Sequence, residues 1–270
     1  MKAVLVVSMV MLATAAAAAA EPVTLDGRFT QGGLVIGRVA PGSRVAINGG
    51  TVMVSGDGVF LLGFGRDAPP TARLEVTLPD GSVERKDLAV EPRTYDVQRI
   101  TGLPPAQVTP SPAALERIRA EAETLRQARR KAGAITHFLG GFVWPADGPV
   151  SGIYGSQRIL NGEPRAPHVG LDIAGPTGTP VRATAAGTVV LAAPDFFFTG
   201  MTVVIEHGHG LTSIYAHMSA LAVRPGDRVN AGDPIGAIGA TGRVTGAHLH
   251  WGINLFEVAL DPALLVLQRP

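Results

Sequence analysis

Short apolar runs separated by turn residues fill the first third of the chain after residue 22. The turn signals are Asp26-Gly27, Asn48-Gly49-Gly50, Gly56-Asp57-Gly58 and Asp80-Gly81, and the runs between them include LVIGRV, TVMVS, VFLLGF and RLEVTL. Short runs of this kind, several of them alternating between apolar and polar residues, predict a small antiparallel β sandwich or open barrel. We therefore expect an N-terminal β domain over residues 21–100. It contains no histidine, and we interpret it as a spacer or docking module.

A proline-rich linker and a helical pattern follow over residues 101–140. Ser111 is a good N-cap residue, and Pro112 suits the first position of a helix. We predict a helix from there to about Ala132. Its thin apolar stripe consists of Leu115, Ile118, Ala122 and Leu125. We interpret it as an interdomain helix; pairing with a partner's helix is the alternative, which the short stripe disfavours.

A second β-rich region begins after Gly140-Gly141, where glycine, proline, valine and threonine become frequent. Strands are predicted at GTVVLAA, MTVVIEH, LTSIYAH and HLHWGINL. We expect a second domain over residues 141–265, so that the chain is mainly β. The stretch PGDRVNAGDPIGAIG is typical of turns in lipoyl or biotinyl carrier domains. Those carriers modify a lysine in a hairpin, and Lys131 is the last lysine of the chain, so a carrier function is excluded.

Residues 1–20 have the pattern of a secretory signal peptide. Lys2 precedes an apolar run to about Ala13, and small residues lead to Glu21. We expect cleavage near Ala20–Glu21 and a periplasmic or secreted protein. An uncleaved membrane anchor is the alternative, which the short apolar core disfavours. No later segment has some twenty consecutive apolar residues, so we expect no stable membrane span after cleavage.

Charge and cysteine content narrow the functional classes. The 270 residues include 23 Lys+Arg and 22 Asp+Glu, for a net charge of +1. The chain lacks the basic excess of a general nucleic-acid binder, so we expect no nucleic-acid partner. The absence of cysteine excludes disulfides, thiolate zinc sites and cysteine nucleophiles. The sequence leaves the oligomeric state open.

Histidines cluster in the second β-rich region, where six of the seven lie between His168 and His250. Such a cluster in a β domain is typical of a metal site. His248 and His250 alternate along a predicted strand, so both imidazoles point to one side. Leu249 between them should then point into the core.

The other two histidine patterns involve His168 and His217. On a regular strand His168 and Asp172 would lie roughly 13 Å apart, too far to share an ion, so the chain must bend between them. Gly170 permits that bend. The triplet Tyr215-Ala216-His217 repeats the alternate-residue pattern and predicts that the phenol and the imidazole share one face.

Three ordered motifs, HVGLDIAGPTGTPV, YAHMS and TGRVTGAHLHWGI, carry a resemblance to a known family. They resemble those of the lysostaphin-type, or LytM-like, zinc metalloendopeptidases, which cut peptide cross-bridges in bacterial cell-wall peptidoglycan. The resemblance implies that His168, Asp172 and His250 bind Zn²⁺. It also implies that His217 and His248 are catalytic histidines beside the metal.

The resemblance, which covers about residues 141–263, implies an endopeptidase that uses a metal-activated water on peptidoglycan peptide stems. Three protein ligands with an open fourth position are typical of catalytic zinc. We assign His248 as the base and His217 as the electrostatic partner or the acid, and we expect Tyr215 to steady His217. Gly252 stands where many relatives have glutamate after HLHW, which affects a contact behind the site but no ligand.

Two other functions remain as alternatives. One is a non-catalytic LytM-like regulator or activator of murein amidases, but members of that kind lack some zinc ligands, whereas all five residues are present here. The other is a zinc enzyme with a non-murein substrate. Because no wall-sorting tail or wall-binding repeat follows Pro262, the chain resembles a Gram-negative periplasmic enzyme. We therefore expect it to cut D-alanyl–diaminopimelate cross-links rather than pentaglycine.

Several further residues have two interpretations each. His207 and His209 lie in a hairpin-like segment, where a turn role is favoured over metal binding. His137 is interpreted as a solvated loop histidine. The aromatic run 196–198 would wall a substrate groove or pack in the core. Arg158 would contact a peptide carboxylate or form a surface ion pair.

Overall fold

The computed structural model describes residues 23–104 and 108–267. The predicted signal peptide lies outside the described residues. The described chain is mainly β, as predicted, with one long α-helix, α1 (Pro112–Arg129). No helix in this part of the chain is long and apolar enough to cross a membrane.

Two antiparallel sheets form the N-terminal unit. Its strands are β1 (Thr24–Gly27), β2 (Leu34–Arg38), β3 (Arg44–Ile47), β4 (Gly50–Val52), β5 (Val59–Gly63), β6 (Thr71–Thr77) and β7 (Val83–Ala89). One sheet has the order β1-β2-β5 and the other β4-β3-β6-β7. Both bury apolar side chains in a shared core that includes Val35, Phe60 and Leu74. This is the antiparallel β unit that the turn pattern predicts.

The strands after this unit are β8 (Val97–Ile100), β9 (Val150–Gly152), β10 (Gln157–Leu160), β11 (Glu163–Pro164), β12 (Leu171–Ala174), β13 (Pro180–Arg182), β14 (Gly187–Phe196), β15 (Gly200–Glu206), β16 (Leu211–Leu221), β17 (Arg228–Val229), β18 (Pro234–Ile238), β19 (His248–Leu255) and β20 (Val258–Leu260). Short 3-10 helices span His137–Gly140 and Pro262–Leu264. The large sheet has the order β17-β14-β15-β16-β19-β12-β9. Its neighbours β16, β19 and β12 carry most of the site described below.

Helix α1 begins where the sequence predicts. Ser111 Oγ accepts a hydrogen bond from Ala114 N at 3.3 Å, and Pro112 follows the cap. The helix ends at Arg129, slightly before the predicted end. Its apolar residues Leu125 and Ala128 pack on Val204 of β15. Of the predicted stripe, Leu125 thus packs on the large sheet, whereas Leu115 is exposed, and the interdomain role stays a prediction.

Strands β2 and β5 lie between two hydrophobic cores. In β5, Phe60 and Leu62 point into the N-terminal core, whereas Val59 and Leu61 belong to the core of the large sheet. All four are at most 3% exposed. In addition, Asp261 N donates a hydrogen bond to Gly32 O at 2.8 Å, and β8, which follows the N-terminal unit, pairs in parallel with β10. The two units are thus joined by packing and by backbone hydrogen bonds, while the domain boundaries given above stay a prediction.

Candidate metal centre

Strand pairing brings two of the predicted ligands together. Strands β12 and β19 are antiparallel, and Asp172 lies directly opposite His250. Opposed residues in a sheet project to the same side, and so do alternate residues in one strand. His248 therefore projects to this side as well. Leu249 is fully buried on the other side, which confirms the predicted orientation of the HLH motif.

Three donor atoms form a small triangle at this point. His168 Nε2 lies 2.9 Å from Asp172 Oδ1 and 3.0 Å from His250 Nδ1, and His250 Nδ1 lies 2.9 Å from Asp172 Oδ1. A tetrahedral zinc ion with bonds of about 2.0–2.1 Å separates its ligand atoms by roughly 3.3 Å. Two imidazole nitrogens and a carboxylate oxygen are also donors that zinc prefers. The donor set therefore fits a zinc ion.

Neighbouring groups orient these donors. His168 Nδ1 donates to the carbonyl of Ile153 at 3.0 Å, which leaves the Nε2 lone pair for a metal. Arg158 Nη2 donates to Asp172 Oδ2 at 2.9 Å, so that Oδ1 faces the triangle. Of the two interpretations of Arg158, the ion pair is the one that forms, although it is largely buried rather than on the surface.

Burial and hydrogen bonding set the protonation of the ligands. Burial alone would raise the pKa of Asp172, but its contacts with His168 and His250 hold this pKa far below its usual value. Burial lowers the pKa of His250 to about 4, against the opposing effect of Asp172. At neutral pH the carboxylate is ionised and the imidazole is neutral, as metal binding requires.

Position 170 requires glycine because neighbouring atoms lie too close for a side chain, and not because its backbone has a positive φ. A Cβ atom at this position would lie 2.6 Å from Trp251 O and 2.7 Å from His250 Cε1. The His168–Asp172 bend, which the sequence predicts, therefore passes directly against the ring of a ligand.

His217 and His248 lie side by side next to the triangle. Their ring centroids are 4.8 Å apart, and His248 Nε2 is 3.9 Å from Asp172 Oδ1. His217 Nδ1 donates to Thr241 O and His248 Nδ1 donates to Gly246 O, each at 2.9 Å. In this tautomer both rings present Nε2 as a proton acceptor. Burial, then the neighbouring histidines, lower the pKa of His217 to about 3.

The left-handed backbone conformation of His217 turns its own side chain toward the site. Ala216, not His217, lies opposite His250 in the pairing of β16 with β19, so simple alternation would send His217 into the core. Its φ of 63° breaks the alternation. A positive φ is rare for residues other than glycine, and here it places an imidazole beside the predicted metal ligands.

Tyr215 therefore does not share a face with His217, and the expectation that it steadies His217 is wrong. It lies opposite Trp251 and is fully buried. Its hydroxyl accepts from Thr184 N at 2.7 Å and lies 3.0 Å from Ser213 Oγ. The φ of His217 separates the two side chains.

The remaining histidines lie away from the triangle. His207 is fully buried, with Nδ1 2.7 Å from Ala186 O and Nε2 2.7 Å from Ser213 Oγ, and burial lowers its pKa to about 4. His209 has a φ of 53° in a turn and packs edge-on against Phe138 at 5.5 Å. These contacts favour the structural interpretation of both. His137 begins a 3-10 helix instead of lying in a loop.

Two adjoining pockets of about 160 and 390 Å³ open beside the triangle. Phe198 lines the larger one, which favours the groove interpretation for this part of the aromatic run. Sequence reasoning missed Arg243, which lines both pockets, although it lies within the quoted TGRVTG motif. It also missed the three carbonyls that orient the histidines, because backbone acceptors leave no signal in residue identity.

Comparison with known proteins identifies the family. Residues 166–262 match the model of Peptidase family M23. The crystal structure of a Pseudomonas aeruginosa protein described as a peptidase M23 aligns with a TM-score of 0.67 and 30% identity, over 88% of this chain and 95% of that one. The chain belongs to peptidase family M23. This confirms the resemblance drawn from the three motifs, and M23 is a family of zinc metallopeptidases.

Two curated relatives match part of this chain. The DD-carboxypeptidase/endopeptidase Mpg of Neisseria meningitidis is 39% identical over 103 residues, which are 38% of this chain and 24% of the relative. The peptidoglycan DD-endopeptidase ShyA of Vibrio cholerae is 45% identical over 86 residues, 32% of this chain and 20% of the relative. The chain thus spans about a quarter or less of the length of these two relatives.

Proposed function

We propose that this M23 protein is a zinc-dependent endopeptidase that hydrolyses peptide cross-links of bacterial peptidoglycan. The observation that carries the proposal is the meeting of five side chains at one point: three donors within 3.0 Å of one another, and two imidazoles that present Nε2 beside them. The name of ShyA, a peptidoglycan DD-endopeptidase, supports the substrate class, and the name of Mpg, a DD-carboxypeptidase/endopeptidase, supports the reaction type.

His168, Asp172 and His250 would hold the zinc ion. When bound, zinc supplies Lewis acidity, which lowers the pKa of water and polarises a carbonyl. The chain contributes the orientation of the ligands through Ile153 O and Arg158. Removing such supporting groups from a metal site typically costs 10-fold to 100-fold in metal affinity or activity.

His248 and His217 would carry the proton transfers. His248 Nε2 lies nearer the carboxylate of the triangle, and its side chain is 18% exposed, so we assign it to accept the proton of the attacking water. His217 is more deeply buried, and its Nδ1–H is committed to Thr241 O. We assign His217 to the oxyanion and leaving-amine side of the reaction, as electrostatic partner or acid, a role it performs when its Nε2 also carries a proton.

We further propose that the scissile bond joins D-alanine to diaminopimelate and that the enzyme acts after export, in the periplasm. The open groove beside the ligands suits an extended peptide. The analogy with the family supports the choice of bond. The alternative, a non-catalytic regulator of amidases, is disfavoured because all five site residues are present.

Incubation of purified, cross-linked murein with the zinc-loaded protein tests the proposal. Mass spectrometry should show that cross-linked dimers become monomers while the sugar strands stay intact. His248→Ala, loaded with zinc to the same level, serves as the inactive control. Release of whole stem peptides from the sugar, or cleavage of oligoglycine alone, would contradict the assignment. Zinc binding without any hydrolysis would favour the regulator.

A further inference from the structure

The turn 153–156, between β9 and β10, holds the predicted metal ligand His168 by three hydrogen bonds. His168 Nδ1 donates to Ile153 O at 3.0 Å, and the backbone N–H of His168 donates to Ser156 O at 2.9 Å. Gly155 N donates to His168 O at 2.8 Å. Both the ring and the backbone of His168 are bonded to this turn, so a shift of the turn would displace a donor atom of the triangle.

Two residues from the N-terminal side of β8 contact the same turn. Arg66, which follows β5, donates from Nε to Gly155 O at 2.7 Å. Its guanidinium carbon lies 4.6 Å from the centre of the Tyr95 ring, and its Nη1 pairs with Asp67 at 2.6 Å. The Tyr95 ring covers Gly155 so closely that a Cβ atom at position 155 would overlap the ring. Arg66 and Tyr95 thus hold Gly155 by a hydrogen bond and by packing.

The backbone of Gly155 explains why these contacts matter. Its φ of 84° lies in the left-handed region, which glycine adopts readily and also leaves readily. Without outside contacts, a glycine turn would have more conformational freedom to lose when it fixes a ligand, and this entropy would oppose zinc binding. Arg66 restricts that freedom through a charge-assisted hydrogen bond, which is stronger than one between neutral groups. Its side chain is 23% exposed, so water competes weakly for the bond.

We infer that Arg66 and Tyr95 form a clamp that positions His168 for zinc binding. Both are positioning residues, because they act through Gly155 and neither belongs to the donor triangle. The inference rests on the zinc site of the proposed function and is independent of the substrate. It gives the N-terminal part of the chain a role in the metal centre, whereas the sequence indicates only a spacer or docking module.

The zinc affinity of Arg66→Met tests the clamp. Methionine keeps an unbranched side chain that packs on Tyr95, but it has no group that donates to Gly155 O. A competition titration should give a Kd about tenfold higher than that of the wild type, at the lower end of the range for groups that support a metal ligand. Tyr95→Leu should also weaken zinc binding. In the double variant the two losses of binding free energy should not add, because both residues act on one glycine.

Two control variants separate this role from general effects. Arg73→Met removes an exposed arginine that pairs with Asp87 in the N-terminal unit, and its zinc Kd should equal that of the wild type. Leu61→Ala removes packing between the two units but none of the hydrogen bonds of the turn. It should lower the free energy of unfolding and leave the zinc Kd of the folded protein unchanged.

Amide hydrogen exchange of the zinc-free protein gives a second readout, which needs neither metal nor activity. The N–H groups of Gly155 and His168 both bond within this region. In Arg66→Met they should exchange about tenfold faster than in the wild type, because the turn opens more easily. The amides in the centre of β16 should keep their rates. A variant that was only less stable overall would exchange faster throughout the large sheet.

A zinc Kd of Arg66→Met equal to that of the wild type would overturn the clamp, and so would an equal loss of affinity in Leu61→Ala. Faster exchange throughout the large sheet would overturn it as well. None of these results affects the proposed function, which a wild type that binds no zinc would contradict. The exchange experiment would then decide the clamp by itself: faster exchange confined to the turn and His168 supports it, and unchanged exchange overturns it.

Discussion

Asp172 takes part in more of the site's contacts than any other single side chain described above, since it meets His168, His250 and Arg158. We expect Asp172→Ala to lose both zinc and activity. His248→Ala should keep most of the zinc and lose turnover, because its assigned role is proton transfer rather than coordination. Metal content by mass spectrometry, together with kcat, separates the two. Equal zinc loss in both variants would mean that ligand and base are exchanged within the HLH motif.

Gly170 offers a test that leaves every ligand in place. Because a new Cβ would lie 2.7 Å from His250 Cε1, Gly170→Ala should push that ring aside and weaken zinc binding by at least tenfold. Gly140→Ala is the control, since a Cβ there meets nothing within 4 Å. A zinc competition titration measures both. Unchanged affinity in Gly170→Ala would show that the ring tolerates displacement.

His207 should make stability depend on pH. The unfolded chain binds a proton at its ordinary pKa of 6.5, whereas burial keeps the folded imidazole neutral down to about 4. The unfolded state therefore binds more protons between these values, and stability falls as pH falls from 6.5 toward 4. The stabilisation present above pH 6.5 is on the order of 3 kcal/mol.

Urea unfolding of the wild type and of His207→Gln, each at pH 7.5 and pH 5, measures this contribution. The advantage of the wild type should be largest at pH 7.5 and should shrink at pH 5. Because the other histidines are common to both proteins, their titration cancels in the difference. A difference that stays constant with pH would contradict the assignment.

The sequence predicts some residue positions well and others poorly, for a physical reason. The opposite directions of His248 and Leu249 follow from the fixed period of a strand. The same rule fails at His217, whose φ of 63° is set by tertiary contacts such as the hydrogen bond of its N–H to Thr199 O. Tyr215 was misplaced for the same reason. Arg158 had two interpretations until its partner was visible.

At the scale of single elements, β5 connects two cores. Leu61 is 3% exposed and lies in the core of the large sheet, although it belongs to the N-terminal unit. Leu61→Ala should lower the free energy of unfolding by about 2–5 kcal/mol. Trp144 and Trp251, the two tryptophans of the chain, report from the other unit. In Leu61→Ala, the unfolding transition followed by their fluorescence should shift to a lower urea concentration than in the wild type.

Leu115→Ala is the control for this experiment, because Leu115 is 38% exposed on α1. Its effect should stay below about 0.5 kcal/mol. If Leu61→Ala leaves the tryptophan transition where it was, the two units unfold independently and the shared core has no energetic role.

Elements with local signals were predicted more accurately than pairings between distant segments. The N-cap at Ser111 and the start of α1 follow from neighbouring residues. The parallel pairing of β8 with β10 joins residues about sixty positions apart and leaves no local pattern. The double burial of β5 shows in its continuous apolar run, but the sequence does not tell which partner covers each face.

At the scale of the whole molecule, zinc should stabilise the fold. The proposed ligands come from β12, β19 and the loop before β12, so a bound ion links segments about eighty residues apart. A ligand that binds only the folded state at 1,000 times its Kd adds about 4 kcal/mol. Chelation should therefore lower the Tm by several degrees.

Asp172→Ala provides the comparison for chelation. This variant lacks one donor of the triangle, so its Tm should be lower at the start and should not respond to the chelator. Differential scanning calorimetry of both proteins, with and without chelator, measures the effect. An equal response of the two would mean that the chelator acts elsewhere than at the triangle.

The fold class and the family could be predicted from the sequence, whereas the packing of the N-terminal unit against the large sheet could not. Three motifs with ordered spacing indicate the M23 region, and strand periodicity indicates a mainly β chain. The packing of Leu34 and Leu61 against the second core depends on tertiary structure that composition does not encode.

The double burial of β2 and β5 bears on how this M23 protein can be recombined with other domains. A fragment that begins after residue 100 would lack Leu34, Val59 and Leu61 from the core of the large sheet and would expose Leu255 and Leu260, which lie beside Gly63 of β5. Such a fragment would be prone to aggregate, since exposed apolar patches promote association. Grafting the M23 half onto another carrier would thus require redesign of that surface. The N-terminal unit shares a core with the large sheet, so it is not an independently exchangeable module.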